Sequence, residues 1–145
     1  MEMEYRTLDL ADYRPLLDLW QQCDGLSLRE ADSKEGLARY LERNPGLSFV
    51  ALHEDRICGS LMAGHDGRRG YIQHLAVAPD RRRCGIGKEL LGRCLAALLD
   101  VGIVKSHVHV LKHNRTGIDF WTRLGYVERD EIAMFSYING DNPDV

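Results

Sequence analysis

The order of periodicities along this chain predicts an α/β fold of the α+β kind. Its centre is a mixed, mostly antiparallel sheet of about seven strands with four helices, in the order β-α-α-β-β-β-α-β-α-β-β. Three observations carry this. Blocks with apolar residues at helical spacing alternate with short strand-like runs. Three of those runs follow one another through short turns, which antiparallel neighbours allow and parallel ones do not. The 145 residues, 44% hydrophobic and 28% charged, suit one globular domain spanning 1–145 with a real core.

Met3 to Leu8 is a short strand candidate, and Leu10 to Cys23 follows as a helix with Tyr13, Leu16, Leu17 and Trp20 at i, i+3, i+4 and i+7. A polar loop, Asp24 to Asp32, leads to a second helix over Ser33 to Asn44, with Leu37, Tyr40 and Leu41 on one face and Pro45-Gly46 as its stop. Leu47 to His53 and Arg56 to His65 are strands joined by Glu54-Asp55, a two-residue hairpin turn. After the turn His65 to Gly70 comes a third strand, Tyr71 to Ala78, so these three form a meander. Glu89 to Asp100 is amphipathic and buries Leu90, Leu91, Cys94, Leu95, Leu98 and Leu99 before Val101-Gly102 ends it. Val104 to Leu111 alternates as a strand. Asn114 can cap a last helix, Arg115 to Leu124, which Gly125 closes. Tyr126 to Glu128 and Ala133 to Ile138 supply two more short strands, and Asn139 to Val145 reads as a polar tail.

Composition removes several function classes. Lys plus Arg total 19 against 22 Asp plus Glu, a net charge of -3, which argues against a nucleic-acid binder; any polyanion site must be local. The four cysteines, Cys23, Cys58, Cys84 and Cys94, have no Cys-x-x-Cys spacing, so a reducing cytoplasm is expected and neither zinc nor disulfides are needed. Met1-Glu2-Met3-Glu4 is acidic where a signal peptide is basic. No apolar run approaches the ~18 residues that span a bilayer, so membrane partners are not expected.

The chemistry-bearing stretch is Arg82-Arg83-Cys84-Gly85-Ile86-Gly87-Lys88, between the third meander strand and the amphipathic helix. Strand, basic turn, then a helix with two glycines at its mouth turns a row of N–H groups toward a phosphate. A Walker loop is excluded by Arg82 five before Gly87 and by Glu89 after Lys88, and a dinucleotide fingerprint by Leu90 three after Gly87. Arg82-x-x-Gly85-x-Gly87, preceded by Leu75-Ala76-Val77-Ala78-Pro79, resembles the acetyl-CoA signature of the GNAT superfamily of N-acetyltransferases, and the element order extends the resemblance over nearly the whole chain.

The resemblance implies acetyl-CoA as co-substrate and no metal. The main-chain amides of Arg83, Cys84, Gly85, Ile86, Gly87 and Lys88 would cradle the pyrophosphate, with Arg81, Arg82, Arg83 and Lys88 as local positive charge. Leu75 and Val77 would pair through their backbone with the pantetheine arm, the Val77 amide serving as oxyanion donor. By a period of two these share a face with Tyr71 and Gln73, and His74 points the other way. A β-bulge, usual in the family, would upset that assignment. Asn114 stands where the family often touches the arm, although its type and position also fit an N-cap. Seven residues on, where the family often has a tyrosine as thiolate acid, stands Trp121, which keeps the pocket position without an ionisable proton.

Acetyl transfer needs a neutral amine. A lysine amine of pKa ~10.4 costs ~4 to 5 kcal/mol to present neutral at pH 7, and an α-amine of ~7.8 about 1, so the need for a base depends on the acceptor. Gln73 can position a water. Tyr126 and Tyr137 are candidate acids, with Tyr126 the nearer choice, and His74 titrates in the right range but also suits a satisfied histidine under a helix. The loops after the first helix (Asp24, Arg29, Glu30, Asp32) and before the last strand (Glu128, Arg129, Asp130, Glu131) carry an acidic excess that would suit a cationic amine, small molecule or peptide. His107 and His109 share a strand face without a third ligand and make no metal site. The expectation is a cytoplasmic acetyl-CoA-dependent N-acetyltransferase, monomer or homodimer; the competing one is a non-catalytic acetyl-CoA-binding or sensing module.

Overall fold

In the computed structural model, which describes residues 2–24 and 26–145, one sheet runs β1 (Glu4–Thr7), β2 (Phe49–His53), β3 (Arg56–His65), β4 (Gly70–Val77), β5 (Ser106–Val108), in that spatial order. The first three pairings are antiparallel and the last is parallel, with β2, β3 and β4 as the meander. Glu54 and Asp55 take φ of 51° and 63°, the type I′ geometry whose twist matches the strands they join. Helices α1 (Tyr13–Gln21), α2 (Lys34–Arg43), α3 (Ile86–Asp100) and α4 (Arg115–Arg123) follow the expected order. Short 3-10 turns at Leu10–Asp12, Glu30–Asp32 and Pro79–Arg81 lead into α1, α2 and α3.

The sheet has a core on each face. Leu16, Leu19 and Trp20 of α1 and Leu37 of α2 pack on Val50, Leu52, Met62 and Ala76. On the other face, Leu90, Leu91, Cys94 and Leu98 of α3 and Trp121 of α4 pack on Ala51, Leu61, Ala63 and Ile72. Covered on both sides, β3 is buried from Cys58 to Gly64, which is why its sequence reads as a continuous apolar run rather than an alternation. The helix α3 starts at the Val77 end of β4 and finishes at the Gly70 end. A Cβ added at Gly59, the partner of Val77, would meet Ile86, and one added at Gly70 would meet Leu98.

The sheet has five strands, not about seven. Residues 126–128 and 133–138 form no strand because they have no ladder partner and, apart from the half-buried Tyr126, no face to bury: Val127 is 78% exposed, Phe135 91% and Tyr137 89%. Their β-forming composition is a local preference without tertiary support. The fifth strand is also shorter than the expected 104–111, since Val104 stands in solvent and pairing to β4 ends at Val108.

A bulge reorganises β4. Gly59 pairs with Val77 and Ser60 with Ala76, but Met62 pairs with Gln73, so Leu61 stands opposite both His74 and Leu75. His74 absorbs the extra residue with φ of 50°. The strict period of two therefore fails: Leu75 and Val77 pack on the α3 side with Ile72, whereas Gln73 and His74 both project to the α1–α2 side with Tyr71. This corrects the shared face expected for Tyr71, Gln73, Leu75 and Val77.

Candidate active site

The open edge of β4 is a consequence of where pairing stops. The Ala78 N–H donates to the Cys58 carbonyl at 2.8 Å, so Cys58/Ala78 and Ser60/Ala76 are hydrogen-bonded pairs and the intervening Gly59/Val77 is not. The main-chain groups of Val77 thus point away from β3, toward β5. That strand bonds β4 only at Gly70–Ile72, and beyond there the two part. Val77 is left with an unladdered edge, its carbonyl accepting from the Arg82 guanidinium at 3.2 Å and facing the Cys23 thiol at 3.6 Å.

At the same end lies the mouth of α3. Arg83 and Gly85 take φ of 65° and 80°, turning the chain from the 3-10 turn into the helix. The first α-helical bond runs from Glu89 to the Gly85 carbonyl, and no side chain caps this helix, so the N–H groups of Ile86, Gly87 and Lys88 lack intrahelical acceptors. Arg82, Arg83, Cys84, Gly85 and Lys88 are exposed around it. The two glycines have different physical roles. A Cβ at Gly85 would enter open space, leaving its φ as the constraint, whereas one at Gly87 would press on the Phe120 ring at 3.2 Å. Gly87 thus lets α3 pack on α4. Uncapped amides, the helix dipole and local arginines fit a pyrophosphate, and the free edge of β4 fits an amide-bearing arm.

Across the strand, on the α1–α2 face, His74 Nε2 lies 2.6 Å from Asp32 Oδ1. The two side chains are only 13% and 12% exposed. The second carboxylate oxygen of Asp32 accepts the Arg29 N–H at 2.8 Å. Burial by itself would raise the Asp32 carboxyl, but the His74 and Arg29 bonds outweigh it and hold it below the usual carboxylate range. An ionised carboxylate only accepts, so His74 Nε2 carries the hydrogen, which in the uncharged form of the ring leaves the lone pair on Nδ1. The ring sits edge-on to Trp20 at 5.0 Å; Trp20 Nε1 donates to Ser60 Oγ at 3.0 Å, and Ser60 Oγ to the His74 carbonyl at 3.5 Å. Beside this, Tyr40, Arg43, His65, Asp66, Tyr71 and Gln73 border a hollow of about 270 Å³ of mixed charge, not an acidic one.

The structure gives the other expected residues the following partners. Asn114 Oδ1 accepts the Gly117 N–H at 3.0 Å, so its side chain caps α4. Trp121 is buried, with its ring against Phe120 at 5.3 Å and Tyr126 at 4.9 Å. Tyr126 Oη bonds Ser106 Oγ at 2.7 Å, at the closed end of the sheet where Ser106 pairs with Gly70. Burial pushes the Tyr126 hydroxyl up, against the pull of the Ser106 bond. His107 contacts the Tyr71 ring at 5.7 Å, and among the described residues no three His, Cys, Asp or Glu side chains converge as a metal site.

Asp32 and Trp20 are the His74 neighbours that the sequence does not signal. Asp32 appeared only as one charge in a polar loop, and Trp20 only as a core position. Neither carries a local signal, because their meeting with His74 depends on how α1 and the loop before α2 fold over a bulge 42 residues further on from Asp32.

The family model for the acetyltransferase (GNAT) family matches residues 13–126. The chain is 34% identical over 132 residues to an acetyltransferase of Pectobacterium atrosepticum, covering 91% of this chain and 93% of that protein. With one of Yersinia enterocolitica it shares 33% over the same span and coverage. Among solved structures, it superposes on the PaiA N-acetyltransferase of Thermoplasma acidophilum in complex with coenzyme A with a TM-score of 0.79 at 20% identity, over 90% of this chain and 92% of that one. On the ribosomal-protein-S18-alanine N-acetyltransferase of Escherichia coli the TM-score is 0.74 at 20% identity, over 88% and 79% of the two chains. No α-helix among the described residues is long and apolar enough to cross a membrane. With a phosphate-ready helix mouth beside an opened strand, and this kinship over nine-tenths of its length, the chain belongs to the GNAT family of acetyltransferases.

Proposed function

We propose that this acetyltransferase takes its acetyl group from acetyl-CoA and delivers it to a primary amine that approaches from the α1–α2 face. The observation that carries this is the parting of β4 from β5 beside the uncapped mouth of α3. Arg82, Arg83 and Lys88 supply charge to the phosphates, and the amides from Arg83 to Lys88 supply donors. Bound acetyl-CoA brings an activated acyl group on a thiol leaving group.

Between phosphate and sulfur, coenzyme A has about thirteen bonds, the length of about four extended residues. Measured along β4 from the level of Val77, where α3 begins, the sulfur falls near Gln73 and His74. Val77 then pairs with the arm, and the oxyanion donor moves from Val77 to Leu75. Leu75 is two residues back on the same edge and next to the bulge. Tyr126 is not the acid in this arrangement, since its hydroxyl is at the Gly70 level, three residues or ~10 Å further along the strand.

His74 is the proton acceptor in this reading. It stands at the thioester level on the acceptor face, with Nδ1 free to take a proton from the amine, directly or through one water, and Asp32 to stabilise the charge gained. Gln73 and the neighbouring hollow orient the acceptor. The thiolate, with a pKa of ~8.5, leaves without a dedicated acid. Steady-state thiol release from acetyl-CoA with a panel of α-amines, lysyl peptides and polyamines tests the reading, with turnover expected on at least one. Tight coenzyme A binding with no release on any would establish the sensing module, a reading favoured by Trp121 and Tyr126 offering no acid.

A further inference from the structure

The turn that carries Asp32 is gripped by the far end of the chain. The Glu30 N–H donates to the Asp144 carbonyl at 2.9 Å, and the Asn142 side-chain amide donates to the Glu30 carboxylate. Asn142 Oδ1 accepts the Asp144 N–H at 3.0 Å, so the chain end arrives as a formed Asx-type turn. From the inner side, Tyr13 Oη donates to the Asp32 carbonyl at 3.1 Å. The turn itself is closed by the Asp32 N–H to the Arg29 carbonyl, the Ser33 N–H to the Glu30 carbonyl and the Arg29 N–H to the Asp32 carboxylate, so its outer and inner contacts set where this closed unit sits against His74.

We infer that the C-terminal turn at Asn142 to Asp144 is a positioning element for His74, acting through Glu30 and Asp32. The inference rests on His74 as proton acceptor. The segment before it makes no strand and leaves Phe135 and Tyr137 in solvent, so residues 140–145 add nothing to either core. What they do touch is the turn behind the histidine. Loosening that turn by an ångström removes the Nε2 to Asp32 bond, and with it the single tautomer that leaves Nδ1 available.

The test compares the full chain with one ending at Asn139, and with Asn142→Ala. Expected for the truncated chain are unchanged coenzyme A affinity by calorimetry, a melting temperature within about 2 °C, and a kcat lower by about 3- to 10-fold, as for a displaced positioning contact. Nitrogen-15 spectra of His74 should pass from one Nε2–H tautomer in the full chain to a tautomer mixture. Asn142→Ala should give a smaller change in the same direction, and it carries the test if the truncated chain does not fold. Unchanged kcat and unchanged His74 nitrogen shifts overturn the inference; so does a loss of coenzyme A affinity in step with kcat, which marks the tail as a general stabiliser. Full turnover by His74→Gln would overturn the proton-acceptor reading instead, while the nitrogen spectra still decide whether the tail sets the ring.

Discussion

The proposed cofactor edge and the proposed acceptor face lie on opposite sides of one strand and are assembled in opposite ways. The cofactor edge is contiguous: Leu75 to Lys88 form strand, turn and helix mouth within fourteen residues, and apart from the charge of Arg82, Arg83 and Lys88 it would act through its backbone. The acceptor face draws Trp20 from α1, Asp32 from the turn before α2, His74 from the bulge and Asn142 from the tail, and it acts through side chains. Backbone sites survive most side-chain changes and fail when the path of the chain changes. Side-chain sites fail one substitution at a time.

The sharpest way to break that contrast is to alter the backbone path. Gly85→Val forces a β-branched residue into φ of 80° and puts its methyl groups into the open space before the amides. Coenzyme A affinity should fall by at least about 100-fold in calorimetry, while the strain costs about 1–2 kcal/mol of stability. Unchanged affinity would place the phosphates elsewhere. Gly87→Glu is a poorer probe, since its Cβ meets Phe120 and would disturb the α3–α4 contact as well.

On the other face, His74→Gln should lower kcat/KM by about 10²-fold with coenzyme A affinity unchanged. A parallel loss of both would show that the two regions are not separable. A chemical footprint sharpens the comparison further. Cys84 is exposed in the turn, whereas Cys58 and Cys94 are buried, and burial pushes the Cys94 thiol up to about 12. Alkylation in the native state, read by mass spectrometry, should modify Cys84 well before Cys58 and Cys94, and coenzyme A should slow it several-fold. An acceptor amine added without coenzyme A should not.

The smallest effect expected is on stability in acid. The Asp32 carboxyl is held below its usual value, so its contribution is present in full above the ordinary carboxylate range and is lost as pH falls through the lower folded value. Asp32→Asn should therefore be less stable than the parent at neutral pH, by about 1 kcal/mol, with the gap closing in acid. Denaturant melts at neutral and acid pH measure this, and a gap that widens in acid would contradict the assigned bond to an ionised Asp32.

Much of the fold was legible because periodicity and punctuation agree in it. Asn114 sits where a cap was expected and accepts the bond of a cap, and Arg56 to His65 is a strand at its expected limits. Ala133 to Ile138 has the same local pattern as a true strand and is none, because a strand requires a partner that its own residues do not encode. His74 is the reverse case. Alternation put it away from Gln73, and one inserted residue opposite Leu61 placed the two on a common face.

By itself, the sequence determined the order of the elements through the fourth helix, the meander, and a phosphate-ready turn at Arg82 to Lys88. All of these are set by neighbours within a few residues, through caps, glycine conformations and apolar spacing. Only the tertiary structure decided that β4 is bulged, that Trp121 and Tyr126 meet ring against ring, and that Asp32 meets His74. Those outcomes depend on register and on contacts between segments tens of residues apart, where no local preference reaches.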